Sequence, residues 1–248
     1  MPELTLVSFN AHGGVLPGPI VVPGLRASVR SPRGVPYDLA AVLRGFDTDV
    51  IVVQESYRPD HGACQAEAAA RDLGFELYEA PFGRAVVSSW PHLVRKGTGT
   101  KGLAVLTRFP ARRLADLPVP RVPADPATSR VALHLELNVG GELLELVALH
   151  LTSRLPYGPP IQMRRLRPHL PPLGRRAVVA GDFNFWGPPV CALFPGWRRA
   201  VRGRTWPARR PHSQIDHVLV RELDVVDAAV LGNFGSDHRP VRVTLGVG

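Results

Sequence analysis

Short apolar runs of strand length recur along this chain, and several of them end in a carboxylate, amide or imidazole side chain. The clearest case is VVAGDFN at residues 178–184, where small and β-branched residues lead directly into Asp182 and Asn184. Successive side chains of an extended chain point to opposite faces. We therefore expect Asp182 and Asn184 on one face and Phe183 on the other, in the core. The alternative is an ordinary polar turn in which Asp182 caps the following residues.

The hydrophobic pattern predicts more strands than helices. Strands are predicted at residues 4–9, 49–55, 102–108, 129–137, 142–151, 177–182, 214–220, 223–231 and 240–245. Helices are predicted at residues 37–46, 62–74 and 159–170, and loops at 13–36, 84–101 and 154–160. A turn at 138–141 makes a hairpin beside strand–helix–strand units. This combination favours an α/β layered domain with mixed sheets over a doubly wound parallel sheet.

Length and composition limit the class of protein. The 248 residues, 45% of them hydrophobic, are expected to form a single domain over residues 1–248, and we expect a monomer. There is no run of 18 apolar residues, so we expect no stable membrane insertion. The first residues lack the features of an export signal, which predicts a cytoplasmic protein, and Cys64 and Cys191 are expected to be free, buried thiols.

The net charge of +9 suggests a polyanionic partner. However, 28 of the 30 basic residues are arginines, so a compositional bias of the chain explains the excess equally well. Two stretches, 163–176 and 197–211, concentrate arginines, and we expect both to flank the site. Tryptophans beside them could stack nucleic-acid bases, or simply lie half-buried under a solvated surface.

Polar residues stand at or near the ends of five or six predicted strands. They are Asn10, Glu55, His150, Asp182, Asp216, Asp237 and His238. Carboxylates beside apolar runs are costly to bury unless they are paired or bound to a cation. Several that converge repel one another, and a divalent metal relieves that repulsion. Ligation by carboxylate and amide oxygens indicates Mg²⁺ or Mn²⁺ rather than Zn²⁺.

The ordered motifs VSFNAHG, VVQES, ALHLTS, VVAGDFN, QIDHVLV and GSDHRPV together resemble the endonuclease/exonuclease/phosphatase superfamily. The resemblance runs from about residue 4 to the C-terminus. It implies a deoxyribonuclease I-like fold, a four-layer sandwich of two mixed β-sheets flanked by helices. It also implies metal-dependent hydrolysis of phosphoesters at one edge of the sandwich.

The resemblance also assigns roles to residues. Glu55 would be the principal metal ligand with Asn10 beside it, and Asp237 a further metal ligand. Asp182 would orient or activate the attacking water, and Asn184 would help to hold the water and the phosphate. His238 would be the catalytic histidine, paired with Asp216, and His150 would donate to a phosphate oxygen or the leaving group.

Four further positions are assigned from the residues themselves. His12 stands where some abasic-site nucleases of the family have an aspartate, and it could contact phosphate or a metal-bound water. Arg130 and Trp186 are candidate substrate contacts. His217 directly follows Asp216, so strand alternation aims it away from the site, and we expect a structural role.

Three functions remain open at this point. The first is a metal-dependent endonuclease or phosphodiesterase that acts on nucleic acid. The second is a phosphatase or phosphodiesterase that acts on a small or lipid phosphoester, such as a phosphoinositide. The third is a non-catalytic binding module of the same fold, which is disfavoured because the full set of candidate catalytic residues is present.

Overall fold

The computed structural model describes residues 2–14, 37–89, 93–123, 125 and 129–248, and gives the backbone alone for 85–89 and 93–98. Its strands are β1 (Glu3–Asn10), β2 (Val50–Arg58), β3 (Glu76–Ser89), β4 (Leu93–Thr107), β5 (Ala111–Val119), β6 (Arg130–Val139), β7 (Glu142–His150), β8 (Ala177–Asp182), β9 (Arg198–Arg199), β10 (Asp216–Arg221), β11 (Asp224–Val230) and β12 (Val241–Gly246). Its α-helices are α1 (Leu39–Arg44), α2 (Gln65–Leu73), α3 (Gly158–Leu166) and α4 (Gly187–Leu193). Two 3₁₀ turns span His12–Gly14 and Arg167–His169.

The strands form two six-stranded mixed sheets. The first has the order β11-β12-β1-β2-β4-β3, and the second has the order β5-β6-β7-β8-β10-β9. In each sheet one pair is parallel, β1 with β2 and β7 with β8, and the other pairs are antiparallel. Side chains from both sheets, such as Leu6, Val52, Leu135 and Val178, form the central core.

Helices cover the outer faces of both sheets. Leu39 and Leu43 of α1 pack with the outward-facing Phe9 and Ile51 of the first sheet, together with the alanine-rich face of α2. Helix α2 ends at Gly74, whose left-handed conformation (φ 67°) suits a residue without a side chain. Helices α3 and α4 pack against the second sheet in the same way. The predicted α/β four-layer sandwich is therefore confirmed.

The predicted strands and helices are present with shifted ends, but several elements were missed. Strands β3, β5 and β9 and helix α4 were not predicted, and the loop predicted at 84–101 is wrong, because β3 and β4 pair along most of it. Register shifts after Pro81 and Arg84 accommodate residues that interrupt a strand pattern. Strand β5 is a largely exposed edge strand, so it lacks an alternating apolar signal.

Other sequence predictions have mixed outcomes. The hairpin turn at 138–141 is confirmed, with Gly140 and Gly141 at φ 61° and 95°. Residues 15–36, predicted as a loop, lie outside the described residues. Cys64 is buried as expected, whereas Cys191 is partly exposed because α4 lies on the outer surface. Among the described residues, no helix has the length and apolarity that crossing a membrane requires.

Candidate active site

Strand register brings the predicted polar residues together at one end of the sandwich. In the second sheet, parallel pairing places His150 beside Asp182, and antiparallel pairing places Asp216 on its other side. Asn10 reaches the same point from the first sheet, and its Nδ2 donates to Oδ2 of Asp182 over 2.9 Å. Asp182 is therefore the residue at which both sheets meet, and only 1% of it is exposed.

The backbone around Asp182 depends on its neighbours in the chain. A Cβ on Gly181 would lie 1.9 Å from the carbonyl oxygen of Leu149, so only glycine allows this approach of β8 to β7. Asn184 adopts φ 48°, and its backbone N–H donates to Oδ1 of Asp182 over 2.8 Å. Phe183 is fully buried in the outer core, as the alternation predicts. Asp182 thus both caps a turn and faces the cleft, so the two interpretations of this motif are compatible.

His238 lies between two buried carboxylates. Its Nδ1 lies 2.9 Å from Oδ2 of Asp216, and its Nε2 lies 3.8 Å from Oδ2 of Asp182. Burial acts to lower the pKa of His238, but the Asp216 and Asp182 carboxylates outweigh it and raise this pKa to about 10. Burial and the charge of Asp216 raise the pKa of Asp182 to about 7. The site therefore holds an imidazolium beside a carboxyl group that can exchange a proton near neutral pH.

His150 has the opposite electrostatic character. Its Nε2 lies 3.5 Å from Oδ2 of Asp182, and its Nδ1 is buried without a hydrogen-bond partner in the described part of the chain. Burial and the positive charge of Arg130 lower the pKa of His150 to about 3. His150 is consequently a neutral imidazole that can donate a hydrogen bond without carrying charge.

Glu55 enters the cleft from an irregularity in β2. The pairing with β4 shifts register between Gln54 and Ser56, and Glu55 adopts φ 54°. Its Oε2 accepts a hydrogen bond of 2.6 Å from Nζ of Lys101. Burial acts to raise the pKa of Glu55, but nearby positive charge, chiefly the Lys101 ammonium, outweighs it and holds this pKa below its usual range. Glu55 is therefore an ionised carboxylate, already paired with an ammonium group.

Asp237 is engaged through both of its carboxylate oxygens. Oδ1 lies 3.2 Å from Nδ1 of His12, and Oδ2 accepts a 3.4 Å hydrogen bond from Nε1 of Trp206. The neighbouring Ser236 hydroxyl donates to the carbonyl oxygen of Asn10 over 2.6 Å. These contacts fix the loop before β12 against the end of β1, so Asp237 and His12 lie together at the cleft.

The donor set suits a hard divalent cation. One carboxylate oxygen from each of Asp182 and Asp216 and a ring nitrogen of His238 lie within 4.8 Å of one another, but a protonated His238 cannot bind a metal, so the ligands would be oxygens. Glu55 and Asp237 add two further carboxylates that line the same cleft. Oxygen ligands of this kind suit Mg²⁺ or Mn²⁺, and these four carboxylates supply negative charge that such an ion would neutralise.

The cleft around these residues has a volume of about 590 Å³. Every predicted site residue except Asp216 lines it, and Asp216 lies behind His238. Other lining residues were not predicted, and these include Phe82, Arg84, Lys101, Leu155 and Ile215. Lys101 directly precedes the predicted strand 102–108, which could have indicated it as a site residue. It was missed because it belonged to the segment 84–101, which was predicted as a loop.

The predicted substrate contacts differ in how available they are. Trp186 is 45% exposed at the cleft. Arg130 lines the cleft but already donates to Asp125 and, over 3.2 Å, to the carbonyl oxygen of His150. His217 faces away, as predicted: it is buried, its Nε2 contacts the carbonyl oxygen of Phe185, and its ring packs edge-on against Phe183.

The two arginine-rich stretches occupy different places. Arg175 and Arg176 of the first stretch pair with Glu145 and Glu142 near the start of β8, at the opposite end of that strand from Asp182. No arginine of either stretch lines the cleft, so neither stretch presents an arginine directly at the site. The second stretch contributes Trp206 to the cleft wall.

Comparisons with known proteins agree with this architecture. The model of the endonuclease/exonuclease/phosphatase family matches residues 7–238. An endonuclease/exonuclease/phosphatase from Beutenbergia cavernae superposes with a TM-score of 0.71 at 22% identity, over 100% of this chain and 72% of the other. The catalytic domain of human nocturnin with bound sulfate superposes with a TM-score of 0.69 at 18% identity, over 100% of this chain and 94% of the other. An endonuclease/exonuclease/phosphatase family protein from Leptotrichia buccalis superposes with a TM-score of 0.69 at 14% identity, over 98% of this chain and 99% of the other. No curated protein sequence matches.

Proposed function

The chain belongs to the endonuclease/exonuclease/phosphatase family, and from that premise we propose that it is a divalent-metal-dependent phosphodiesterase acting on nucleic acid. Members of this family are phosphoester hydrolases, so the chain is an enzyme of that class and the non-catalytic alternative is set aside. The observation that carries the proposal is the placement of His238 between Asp182 and Asp216 in the cleft. We infer that water attacks phosphorus at this point.

Glu55, Asn10 and Asp237 are the residues that would hold the cation, which we propose to be Mg²⁺ or Mn²⁺. All three line the cleft beside Asp182. Such an ion neutralises negative charge on the phosphoryl oxygens as it develops during the reaction. The protein side chains carry out the proton transfer and the hydrogen bonding to the phosphate.

Asp182 is suited to accept the proton of the attacking water. A general base works best when its pKa lies near the working pH, and burial with the charge of Asp216 raises the pKa of Asp182 to about 7. Asn10 and the backbone of Asn184 donate to its two carboxylate oxygens and fix its orientation. The Asn184 amide is itself oriented by a 3.0 Å hydrogen bond from Nδ2 to the carbonyl oxygen of Leu151, which leaves Oδ1 for the water.

The two histidines of the cleft have separate parts in this proposal. His238 carries a positive charge, and Asp216 holds its Nδ1, so its Nε2–H is available to a non-bridging phosphate oxygen. His150 is neutral and donates to the leaving group or to a second phosphate oxygen. His12, held by Asp237, is a further contact for the phosphate.

The choice of nucleic acid rests on the loop that carries Trp206. In this loop Arg202, Arg204, Arg209 and Arg210 are exposed, and none has an ion-pair partner among the described residues. Unpaired arginines on a loop that also supplies Trp206 to the cleft wall are suited to successive phosphates of a polymer. Trp186, at the cleft, offers a flat surface on which a base can stack.

A small or lipid phosphoester is the second candidate substrate. The cleft volume of about 590 Å³ falls within the range typical of small-molecule sites, roughly 300–1,000 Å³. Apolar side chains, including Leu155 and Ile215, line part of the wall. A compact ester with an apolar substituent would therefore also fit.

A substrate panel separates the two candidates. Purified protein with Mg²⁺ or Mn²⁺ is tested on plasmid DNA, single-stranded DNA, RNA and a phosphoinositide, with EDTA and Asp182→Asn as controls. Metal-dependent cleavage of a nucleic acid that is lost in Asp182→Asn supports the first candidate. Turnover of the phosphoinositide without cleavage of any nucleic acid supports the second and overturns the first.

A further inference from the structure

Lys101 is placed where it competes with a cation for Glu55. Its Nζ lies 2.6 Å from Oε2 of Glu55, with 31% of the lysine side chain and 24% of the glutamate side chain exposed. Both residues line the cleft. An ammonium group at this distance neutralises the carboxylate by charge-assisted hydrogen bonding.

The local backbone is built to accept this lysine. The turn at Gly13 lies against the end of the Lys101 side chain, since a Cβ on Gly13 would lie 3.0 Å from Cε and 3.2 Å from Nζ. Gly13 has φ 69°, a conformation that glycine adopts at little cost. Lys101 and Tyr57 face each other across β2 and β4, and the register shift at Gln54/Ser56 brings Glu55 within reach of the ammonium.

The residue type also matters in this chain. Of its 30 basic residues only Lys96 and Lys101 are lysines. An arginine presents a planar fork that grips a carboxylate through two hydrogen bonds, whereas lysine is a compact charge on a flexible stem. A lysine can therefore leave one carboxylate oxygen for another partner at less cost than an arginine.

We propose that Lys101 is an exchangeable counter-ion: it neutralises Glu55 in the metal-free protein, gives way to the divalent cation, and then contacts the anionic substrate. This inference rests on the proposed function, because it takes Glu55 as a metal ligand. Two positive ions of this kind repel each other at one carboxylate. Once displaced, the ammonium stays at the cleft, where a phosphate group is an oppositely charged partner.

The test is Mn²⁺ binding by isothermal titration calorimetry at fixed pH and low ionic strength. We compare the wild type with Lys101→Met, Lys101→Arg and Glu55→Gln. Arg108→Gln is the matched control, because it removes one cation from an ion pair with Asp49 that does not line the cleft. Lys101→Met is expected to bind Mn²⁺ about tenfold more tightly than the wild type, and Lys101→Arg no more tightly. Glu55→Gln is expected to bind Mn²⁺ at least about tenfold more weakly. The Mn²⁺ affinity of Arg108→Gln is expected to be unchanged.

Kinetics supply the second readout. Lys101→Met at saturating Mn²⁺ is expected to raise KM for a phosphodiester several-fold, while its metal affinity improves. A lysine that only supports the fold would not tighten metal binding. Equal or weaker Mn²⁺ binding by folded Lys101→Met, with Glu55→Gln still impaired, overturns the role of Lys101 and leaves the metal site standing. No Mn²⁺ binding by either the wild type or Lys101→Met overturns both proposals.

Discussion

Asp182 and Asp216 are direct partners across the antiparallel pair β8 and β10, and each is only 1% exposed. Two carboxylates in this position repel each other, and one histidine, His238, lies between them. The charge of one imidazolium does not balance both carboxylates. Burial and the charge of Asp216 raise the pKa of Asp182, and the unbalanced negative charge favours further positive charge at the site.

Replacing Asp216 by Asn should lower kcat and move the pH profile. An asparagine still accepts from Nδ1 of His238 but carries no charge. The pKa values of both His238 and Asp182 then fall, since Asp216 raises each of them. We expect a loss of about 10²–10³-fold in kcat at neutral pH, with the optimum shifted to lower pH. Rates for bis-p-nitrophenyl phosphate in Mn²⁺ between about pH 5 and 9 test this, and an unshifted profile would show that Asp216 does not control the site.

Because the pKa of Asp182 is raised, the free energy of unfolding in EDTA should depend on pH through this residue. Its folded-state pKa of about 7 exceeds the unfolded value of 3.8, so its contribution to stability is fully present below the unfolded value and is lost as pH rises through 7. Asp182→Asn does not undergo this loss. Its free energy of unfolding relative to wild type should therefore rise by roughly 2 kcal/mol between about pH 4.5 and 6.5. Urea denaturation at both pH values measures the difference, and a constant difference would contradict the shift.

The exposed arginines of the loop that carries Trp206 should make nucleic-acid affinity depend on salt concentration. The triple variant Arg204→Gln, Arg209→Gln, Arg210→Gln should bind nucleic acid more weakly at low salt. The slope of log K against log salt should become shallower by roughly 0.9 for each arginine that contacts a duplex phosphate. Hydrolysis of bis-p-nitrophenyl phosphate should be unchanged.

The matched control for this triple lies outside the cleft. Arg164, Arg165 and Arg167 are also exposed, but they belong to the first arginine-rich stretch, which contributes no residue to the cleft, whereas the second contributes Trp206. Replacing these three by Gln removes the same charge and should leave the salt slope close to that of the wild type. Equal effects of the two triples would mean that the arginines act only through net charge.

Gly181→Ala should disrupt the site through the backbone. The added methyl group would lie 1.9 Å from the carbonyl oxygen of Leu149, within the β7–β8 pair that presents His150 and Asp182. We expect a destabilisation of about 3 kcal/mol or more with loss of activity. Gly45→Ala is the control, because its φ of −77° and contacts of 3.4 Å or more accept a methyl group. Denaturation midpoints of both variants check this, and equal stability would contradict the tight approach.

Much of the site can be predicted from the sequence, because the alternation of side chains along a strand depends only on neighbouring residues. The positions of Asp182, Phe183 and His217 follow from side-chain alternation, and the structure confirms which of them face the core. The family resemblance supplied the architecture of two mixed sheets flanked by helices. These parts depend on residues close in sequence or on a motif repeated at each strand end.

The remaining parts depend on contacts between distant segments. Glu55 turns toward the cleft through a register shift against β4, and Lys101 meets it from that strand. Trp206 reaches Asp237 from a loop 31 residues away in the chain. Interruptions by proline and glycine concealed β3 and the first half of β4, so the segment that supplies Phe82, Arg84 and Lys101 carried no strand signal.

If Asp182 takes the proton of the attacking water in a metal-dependent phosphoesterase, turnover of a simple diester requires both the metal and this carboxylate. Initial rates on bis-p-nitrophenyl phosphate are measured for the wild type and Asp182→Asn with Mg²⁺, Mn²⁺ or EDTA, after circular dichroism shows that both are folded. We expect turnover by the wild type only with metal, and a kcat at least about 10²-fold lower in Asp182→Asn. Wild-type turnover by Asp182→Asn, or undiminished turnover in EDTA, would contradict this mechanism.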